Sequence, residues 1–442
     1  MIDRYSYPEM KSIWEAENRY QKWLEVELLV AEGLAEIGEV PKKAAKALRK
    51  NAKFEVRRIL EIEGDVPGYE PKPGEEVVKH DLIAFLKAVM EHLGEEKRFL
   101  HLGVTSYDIE DTALSLLLRE SAELIEKDVL ALNEAIRKKA KEHKWTPMIG
   151  RTHGIHGEPI TLGLKLVVWL AEMERNLERL RQAKESVSAA KVSGAVGTYA
   201  NIDPRVEEYV CKKLKLTPAK AATQVLQRDR HAHYITALAI LAGSLEQFAT
   251  EIRHLQRTEV LELEEQFAAG QRGSSARPHK RNPITCERIT GLARLVRSYV
   301  TPALENMALW HERDICHSSV ERVILPDASI LTDYMLRKFT DVVKKLTVYP
   351  ERMKLNLDLM KGLVNSEPVM LAMVRKGLDK DTAYKLVQSR AMRVWQERIA
   401  FYDLLKNDPE IRKWLNAKEL AACFDVKHHF RNLEKIFERF GI

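Results

Sequence analysis

Three stretches of this sequence place apolar side chains at alternating steps of four and three residues, with charges in between. Over 111–143 the apolar positions are Leu114, Leu118, Ile125, Val129, Leu132 and Ile136. Over 162–192 they are Leu166, Leu170, Met173, Leu177 and Leu180, and over 228–267 they are Leu238, Leu241, Leu245, Phe248, Ile252 and Leu255. Such spacing holds one stripe on one side of a 3.6-residue helix for many turns, so each stretch must bury its stripe along a neighbouring helix. Strand-like alternation followed by hairpin turn residues is almost missing. The expected class is therefore all-α, with long helices packed side by side in a central bundle. A Pro/Gly-rich break at 64–76 (GDVPGYEPKPGEE) and shorter helical periods after about 364 suggest three helical domains, 1–109, 110–363 and 364–442.

Charge and cysteine usage narrow the function classes. Lys and Arg outnumber Asp and Glu by only six, 71 against 65, and the two signs are interspersed. A nucleic-acid binder gathers its basic residues on one face, so a small anionic ligand is the better expectation here. Cys211, Cys286, Cys316 and Cys423 form no CxxC pair, which points to a reducing compartment and away from structural zinc. The stretch MIDRYSYPEM lacks the apolar run of a secretory signal, and YITALAILAG (234–243) is shorter than a bilayer is thick. A cytoplasmic protein without nucleic-acid or membrane partners is expected.

Between the periodic stretches lie five segments that bundle packing does not explain: HLGVTSYDIEDT (101–112), GRTHGIHGEP (150–159), TQVLQRDRH (223–231), GQRGSSARPHKRNPITCE (270–287) and WHERDICHSSVER (310–322). In the first, Ser106 or Asp108 can cap the helix that follows. Equally, free N–H groups there can bind an anion together with the Thr105 and Ser106 hydroxyls. In the second, His153 and His156 share a Gly-rich turn with Arg151. All five suit carboxylate or phosphate binding. Walker loops, dinucleotide fingerprints, HExxH and nucleophile-elbow motifs are missing, so neither a cofactor nor a metal is expected.

GSSARPHKRNP (273–283) closely resembles the signature loop of the fumarase/aspartase superfamily, GSSxMPxKxNP. The likeness extends to DRYSYPEM at the start, KHDLIAF at 79–85 and the other four segments in order. Position 277 departs from it, with Arg where the superfamily has an apolar Met. The resemblance implies β-elimination that cleaves a C–N bond and releases fumarate, in the branch that handles succinylated purine nucleotides. It implies Ser274 as general base with Ser275 its neighbour, His153 as general acid, Glu287 orienting His153, and Lys280 and Asn282 stabilising charge. His80, with Asp81 beside it, and His101 correspond to substrate-site positions, His80 also standing among the catalytic groups. Arg4, Tyr5, Arg313, Ser318 and Arg322 correspond to positions holding phosphate and base. Gln224, Thr105 and Ser106 correspond to those contacting the succinyl carboxylates, and Thr152 lies beside His153 in the substrate site.

The chemistry fits those residue types. Removing a weakly acidic Cβ proton next to a carboxylate builds a doubly charged intermediate, which needs cations and N–H donors where the charge develops. A serine hydroxyl is a poor base unless a dry, cationic loop favours its alkoxide, and Lys280 and Arg281 lie close in sequence. Other branches, such as argininosuccinate lyase, share the loop, but RYSYPEM, KHD and WHERDICHSSVER resemble the nucleotide branch more. A non-catalytic helical protein would not need Ser274, Lys280 and His153 together. A helix of ~35 residues spans ~50 Å, so Thr105 and His153 cannot meet within one chain. The resemblance likewise implies a homotetramer whose active sites are shared between protomers.

Overall fold

In this computed structural model residues 1–71, 76–267, 270 and 276–442 are described. The three periodic stretches become long helices because their stripes find apolar partners. The principal helices are α1 (Ala16–Glu36), α2 (Ser106–Glu142), α3 (Leu162–Val187), α4 (Asp229–Leu255), α5 (Ile284–Ser298) and α6 (Cys316–Lys344). Leu118, Ile125, Val129, Leu132, Ile136, Leu166, Leu170, Met173, Leu245, Phe248 and Ile252 are all fully buried. The third stripe, expected to run to 267, stops at Leu255. The positions that would continue it, Glu259 and Glu262, are acidic, and the chain turns there, with Leu261 at φ 46°.

The chain folds as two compact units. One gathers Met1–Leu130, Arg175–Leu245 and Gly291–Arg337; the other gathers Ala131–Glu174, Glu246–Thr290 and Lys338–Ile442. In the first unit, Tyr20 of α1 stacks on Phe85 at 5.8 Å and Trp23 meets the same ring edge-on at 5.7 Å. Glu126 of α2 takes Arg181 and Lys184 of α3 at 2.7 and 2.6 Å. Asn176 donates to Ser244 across α3 and α4 at 2.8 Å, and Tyr234 meets Ser329 of α6 at 2.9 Å. In the second unit, Trp169, Phe248 and Phe339 from α3, α4 and α6 form one aromatic group, the first two stacked at 4.7 Å. Residues near the C-terminus have a core of their own around Val369, Met373, Phe401, Leu405 and Leu420. Among the described residues α4 is long and apolar enough to cross a membrane by length and composition alone, but most of its apolar side chains lie in the protein interior, Ile240 excepted.

The class is mainly α, with one clear addition. GRTHGIHGEP lies in an antiparallel hairpin, β1 (Pro147–Thr152) against β2 (Ile155–Thr161), with Thr152 opposite Ile155. The two turn residues, His153 and Gly154, have φ of 55° and 76°. Two left-handed residues in a two-residue loop match the twist of the flanking strands, and Gly154 takes that conformation without strain. The turn uses His-Gly in place of the Asn-Gly pair that usually signals it, so the sequence reads as a plain loop.

At the start of α2, Asp108 is completely buried and holds several segments together. It accepts from the Thr105 N–H at 2.8 Å, as an acid at the third helical position of a capping box does, and from the Ser193 N–H at 2.9 Å. Its remaining partners are the Gly194 N–H and the ammonium of Lys191, itself fully buried. Removing one member of a buried ion pair leaves an uncompensated charge in a low-dielectric interior. Lys191→Met should therefore lower folding stability by ~3–5 kcal/mol, read as a shift of the urea midpoint. A change within error of zero would show that Asp108 is satisfied without the lysine.

Candidate functional site

The first unit assembles one set of the expected residues. His80 precedes the helix Asp81–Met90, its Nδ1 3.5 Å from Asp81. Asp81 in turn pairs with Arg322 of α6 and accepts from the Leu82 N–H at 2.8 Å. Gln224 accepts from Arg313 at 2.7 Å, and the Arg313 guanidinium lies 3.9 Å over the Tyr107 ring. Tyr107 hydrogen-bonds Ser318, and burial pushes its phenol up to about 12, so it stays a neutral donor. Tyr107, Ser318 and Arg322 line one cavity of about 180 Å³ together with Trp14, Glu110 and Arg228. Thr105 and Ser106 stand at the head of α2, beside the buried Asp108. Tyr5 packs edge-on against Tyr334 at 5.5 Å, with Arg4 exposed next to it.

Buried charge beneath these residues fixes the helices that carry them. Arg228, at the head of α4, forks between Asp111 of α2 (2.8 and 2.9 Å) and Glu321 of α6 (3.0 and 3.1 Å). Burial works against the Asp111 charge, but the Arg228 guanidinium wins and holds that carboxyl low, whereas burial lifts Glu321 to about 7. His231 and His317 beside them are driven down to about 3 and 4 by burial, with Arg228 adding to it, so both rings are neutral. His101 behaves oppositely. Burial disfavours its charge, yet the buried Glu27 carboxylate 2.6 Å away raises its pKa.

The second unit assembles the other set. Lys280, Asn282 and Glu287 line one cleft of about 750 Å³ with Arg253, Arg257, Arg277, His279 and Arg281. Glu265 accepts from the Thr285 and Cys286 N–H groups at 3.0 and 2.9 Å, fixing the start of α5 that follows this loop. Arg281 pairs with Glu264 at 3.0 Å. Ser274 and Ser275 lie outside the described residues. Arg277 stands exposed in the cleft, so the position that departs from the superfamily pattern adds a cation there where an apolar packing residue was expected. His153 and Thr152 are exposed at the hairpin tip. The Glu287–His153 relation implied by the resemblance is not formed among the described residues. Arg151, beneath the tip, makes a two-pronged pair with the fully buried Glu262 at 2.7 and 3.0 Å, which stiffens the hairpin.

Sequence reading missed Tyr107, Glu110 and Arg228. Two sit in the segment HLGVTSYDIEDT and the third in TQVLQRDRH. Their signal was only membership of segments already singled out, because nothing in a local stretch marks a partner a hundred residues away.

Comparison with known proteins places the whole chain in one family. A family model described as a lyase matches residues 4–298, and one described as the adenylosuccinate lyase C-terminus matches 362–440. The chain is 52% identical over 442 residues, the full length of both proteins, to adenylosuccinate lyase of Bacillus subtilis (strain 168). Among solved structures it superposes on a fumarate lyase from Mesorhizobium sp. BNC1 with a TM-score of 0.88, at 27% identity and 99% coverage of each chain. A 3-carboxy-cis,cis-muconate lactonizing enzyme from Pseudomonas putida gives 0.85 at 28% identity, covering 98% of this chain and 96% of that one.

The His101–Glu27 pair sets a pH dependence. A histidine whose folded pKa is raised contributes stability that is complete below its unfolded value of ~6.5 and is lost as pH rises through the folded value. The stability gap between the unmodified protein and His101→Gln should therefore be widest near about pH 6 and narrow towards about pH 9 in urea titrations. A gap that widens with pH would contradict the charged pair.

Proposed function

The chain belongs to the adenylosuccinate lyase family of the fumarase/aspartase superfamily, and from that membership we propose that it eliminates fumarate from adenylosuccinate to leave AMP. The same elimination on the succinylated aminoimidazole carboxamide ribotide gives it a second place in purine biosynthesis. The observation that carries this reading is the 52% identity to the Bacillus subtilis enzyme across the whole chain. The protein is proposed to act in the cytoplasm, with no cofactor.

In the proposed mechanism Ser274, with Ser275 beside it, removes the Cβ proton. The cleft that follows in sequence supplies Lys280, Arg277 and Arg281 as cations and Asn282 as a donor. These groups favour both the alkoxide and the doubly charged intermediate. His153 delivers the proton that lets the purine nitrogen leave, since imidazole exchanges protons readily near neutrality. Arg313, Ser318 and Arg322, with Arg4 and Tyr5, receive the phosphate and base next to His80 and Asp81. Arg is suited to this because its planar fork binds phosphate through two parallel hydrogen bonds. Gln224, His101, Thr105, Ser106 and Thr152 complete the substrate site, and Glu287 orients the acid.

The active sites are proposed to lie between protomers of a homotetramer. The 37 residues of α2 amount to about 55 Å of helix, with Thr105 and Ser106 at one end and the hairpin that carries His153 following the other. An exposed hairpin tip whose histidine has no carboxylate partner among the described residues suits delivery to a neighbour. The three-part organisation 1–109, 110–363 and 364–442 accompanies this arrangement, supported at its C-terminal end by a separate apolar core.

Purified protein given adenylosuccinate should release AMP and fumarate, followed by ultraviolet absorbance, and should leave argininosuccinate untouched. Adenylosuccinate left uncleaved under the same conditions would contradict the reading. His153→Ala should retain a residual rate ~10²–10⁴-fold below the unmodified enzyme. Ser274→Ala and Ser275→Ala, assayed side by side, assign the base: the account expects the larger loss at Ser274, and a larger loss at Ser275 would move the role by one residue.

A further inference from the structure

The cavity that holds Tyr107, Ser318 and Arg322 also contains a carboxyl for which the proposed mechanism has no role. Glu110 lies one helical turn after Tyr107 on α2, and among the described residues it has no hydrogen bond or ion pair. The cations around it are committed elsewhere. Arg228 is held by Asp111 and Glu321, Arg313 by Gln224 and the Tyr107 ring, and Arg322 by Asp81. Arg19 lies over the rings of Tyr20 and Trp23 at 4.7 and 5.5 Å. The acidic groups that act on the same space are Asp111 on its own helix, Glu321 of α6 and Asp81 of the helix Asp81–Met90, with Glu63 in turn near Asp81. Pro326, which also lines the cavity, removes the N–H that would have met the Arg322 carbonyl one turn earlier in α6, so the helix leaves a further acceptor there. A second carboxylate charge in such a place would lack a counter-ion of its own.

We propose that Glu110 is a positioning residue for the anionic group bound at Arg322: it shares that cavity without taking a cation for itself, which leaves the guanidinium to keep Asp81 on one side and offer its open side to a phosphate. This rests on the reading that Arg322 receives the substrate phosphate. The Arg322 side chain is 47% exposed, whereas that of Asp81 is 12% exposed, so the pair has an open face on the arginine side. Burial first, and then the nearby Asp81 charge, push the Glu110 carboxyl up to about 8, which keeps it protonated at neutral pH. Above that value the ionised group adds negative charge beside Arg322 and competes with the phosphate dianion. The effect falls on binding and leaves the reacting atoms untouched, so it moves KM and spares kcat.

The test is a pH series from about 7 to 9.5 on the intact enzyme, reading KM, kcat and the affinity for AMP, with Glu110→Gln as the neutral isostere. For the unmodified enzyme KM and the AMP dissociation constant should rise roughly five- to tenfold across the series, the size expected for one added charge at a partly exposed cation. Glu110→Gln should match the unmodified enzyme at neutral pH and stay flat above it, with kcat alike in both. A rise of equal size in both proteins, or none in the unmodified enzyme, would overturn the proposal. Arg322→Ala at neutral pH separates the underlying reading: weakened AMP binding supports phosphate at Arg322. Unchanged binding would overturn that assignment, and the role of Glu110 with it. Melting temperatures of the variants show whether they are folded, and AMP titration needs no turnover.

Discussion

Much of the first unit hangs on charges buried in the opening turns of α2. Asp108 gathers the Thr105, Ser193 and Gly194 N–H groups and the Lys191 ammonium, and one turn later Asp111 takes Arg228. Arg228 then reaches Glu321, so α2, α4 and α6 are fastened at the same level. A buried ion pair gains little over apolar packing in stability, but it tolerates only one register, because a slipped partner strands a charge. That demand for one register matters because the proposed ligand groups are carried close by, Gln224 and Arg313 on the loops that precede α4 and α6 and Ser318 and Arg322 on α6 itself. The neighbouring neutral histidines, His231 and His317, add no charge to the cluster.

The second unit solves its own problem with different means. Glu262 and Arg151 anchor the base of the hairpin, and Glu265 caps the start of α5. The result is a stiff, exposed His153 and a cationic cleft whose basic residues, Arg253, Arg257, Arg277, Lys280 and Arg281, outnumber the carboxylates Glu264 and Glu287. Such an excess of positive charge is wasteful for folding, since like charges repel. It becomes useful under the proposed mechanism, in which a dianionic intermediate develops there.

What the sequence disclosed follows from the range over which each signal acts. The helical stripes were legible because burial of Leu118, Ile125 and Val129 repeats every three or four residues within one element. The end of α4 was not, since only the acidic character of Glu259 and Glu262 marks it. The hairpin was hidden by a His-Gly turn and by strands without clean alternation. Candidate site residues were legible as segments: Arg313, Ser318 and Arg322 share one stretch, and Lys280, Asn282 and Glu287 another. Tyr107 and Glu110 sat inside a recognised segment, yet their importance depends on Arg313, Ser318 and Arg322 some two hundred positions later. Asp108 was read as a candidate N-cap; it instead sits at the third helical position and reaches back to the Thr105 N–H, and its burial against Lys191 depends on a contact across 83 residues.

The central claim is that neither unit's residues suffice alone and that neighbouring copies complete each site. Mixing His153→Ala protein with Ser274→Ala protein under conditions that exchange subunits tests it directly. Each variant is deficient alone, and a shared site reconstitutes some pockets with both groups intact. The account requires adenylosuccinate cleavage in the mixture well above the sum of the two parents. Activity no greater than that sum, with subunit exchange demonstrated by mass labelling, would contradict it.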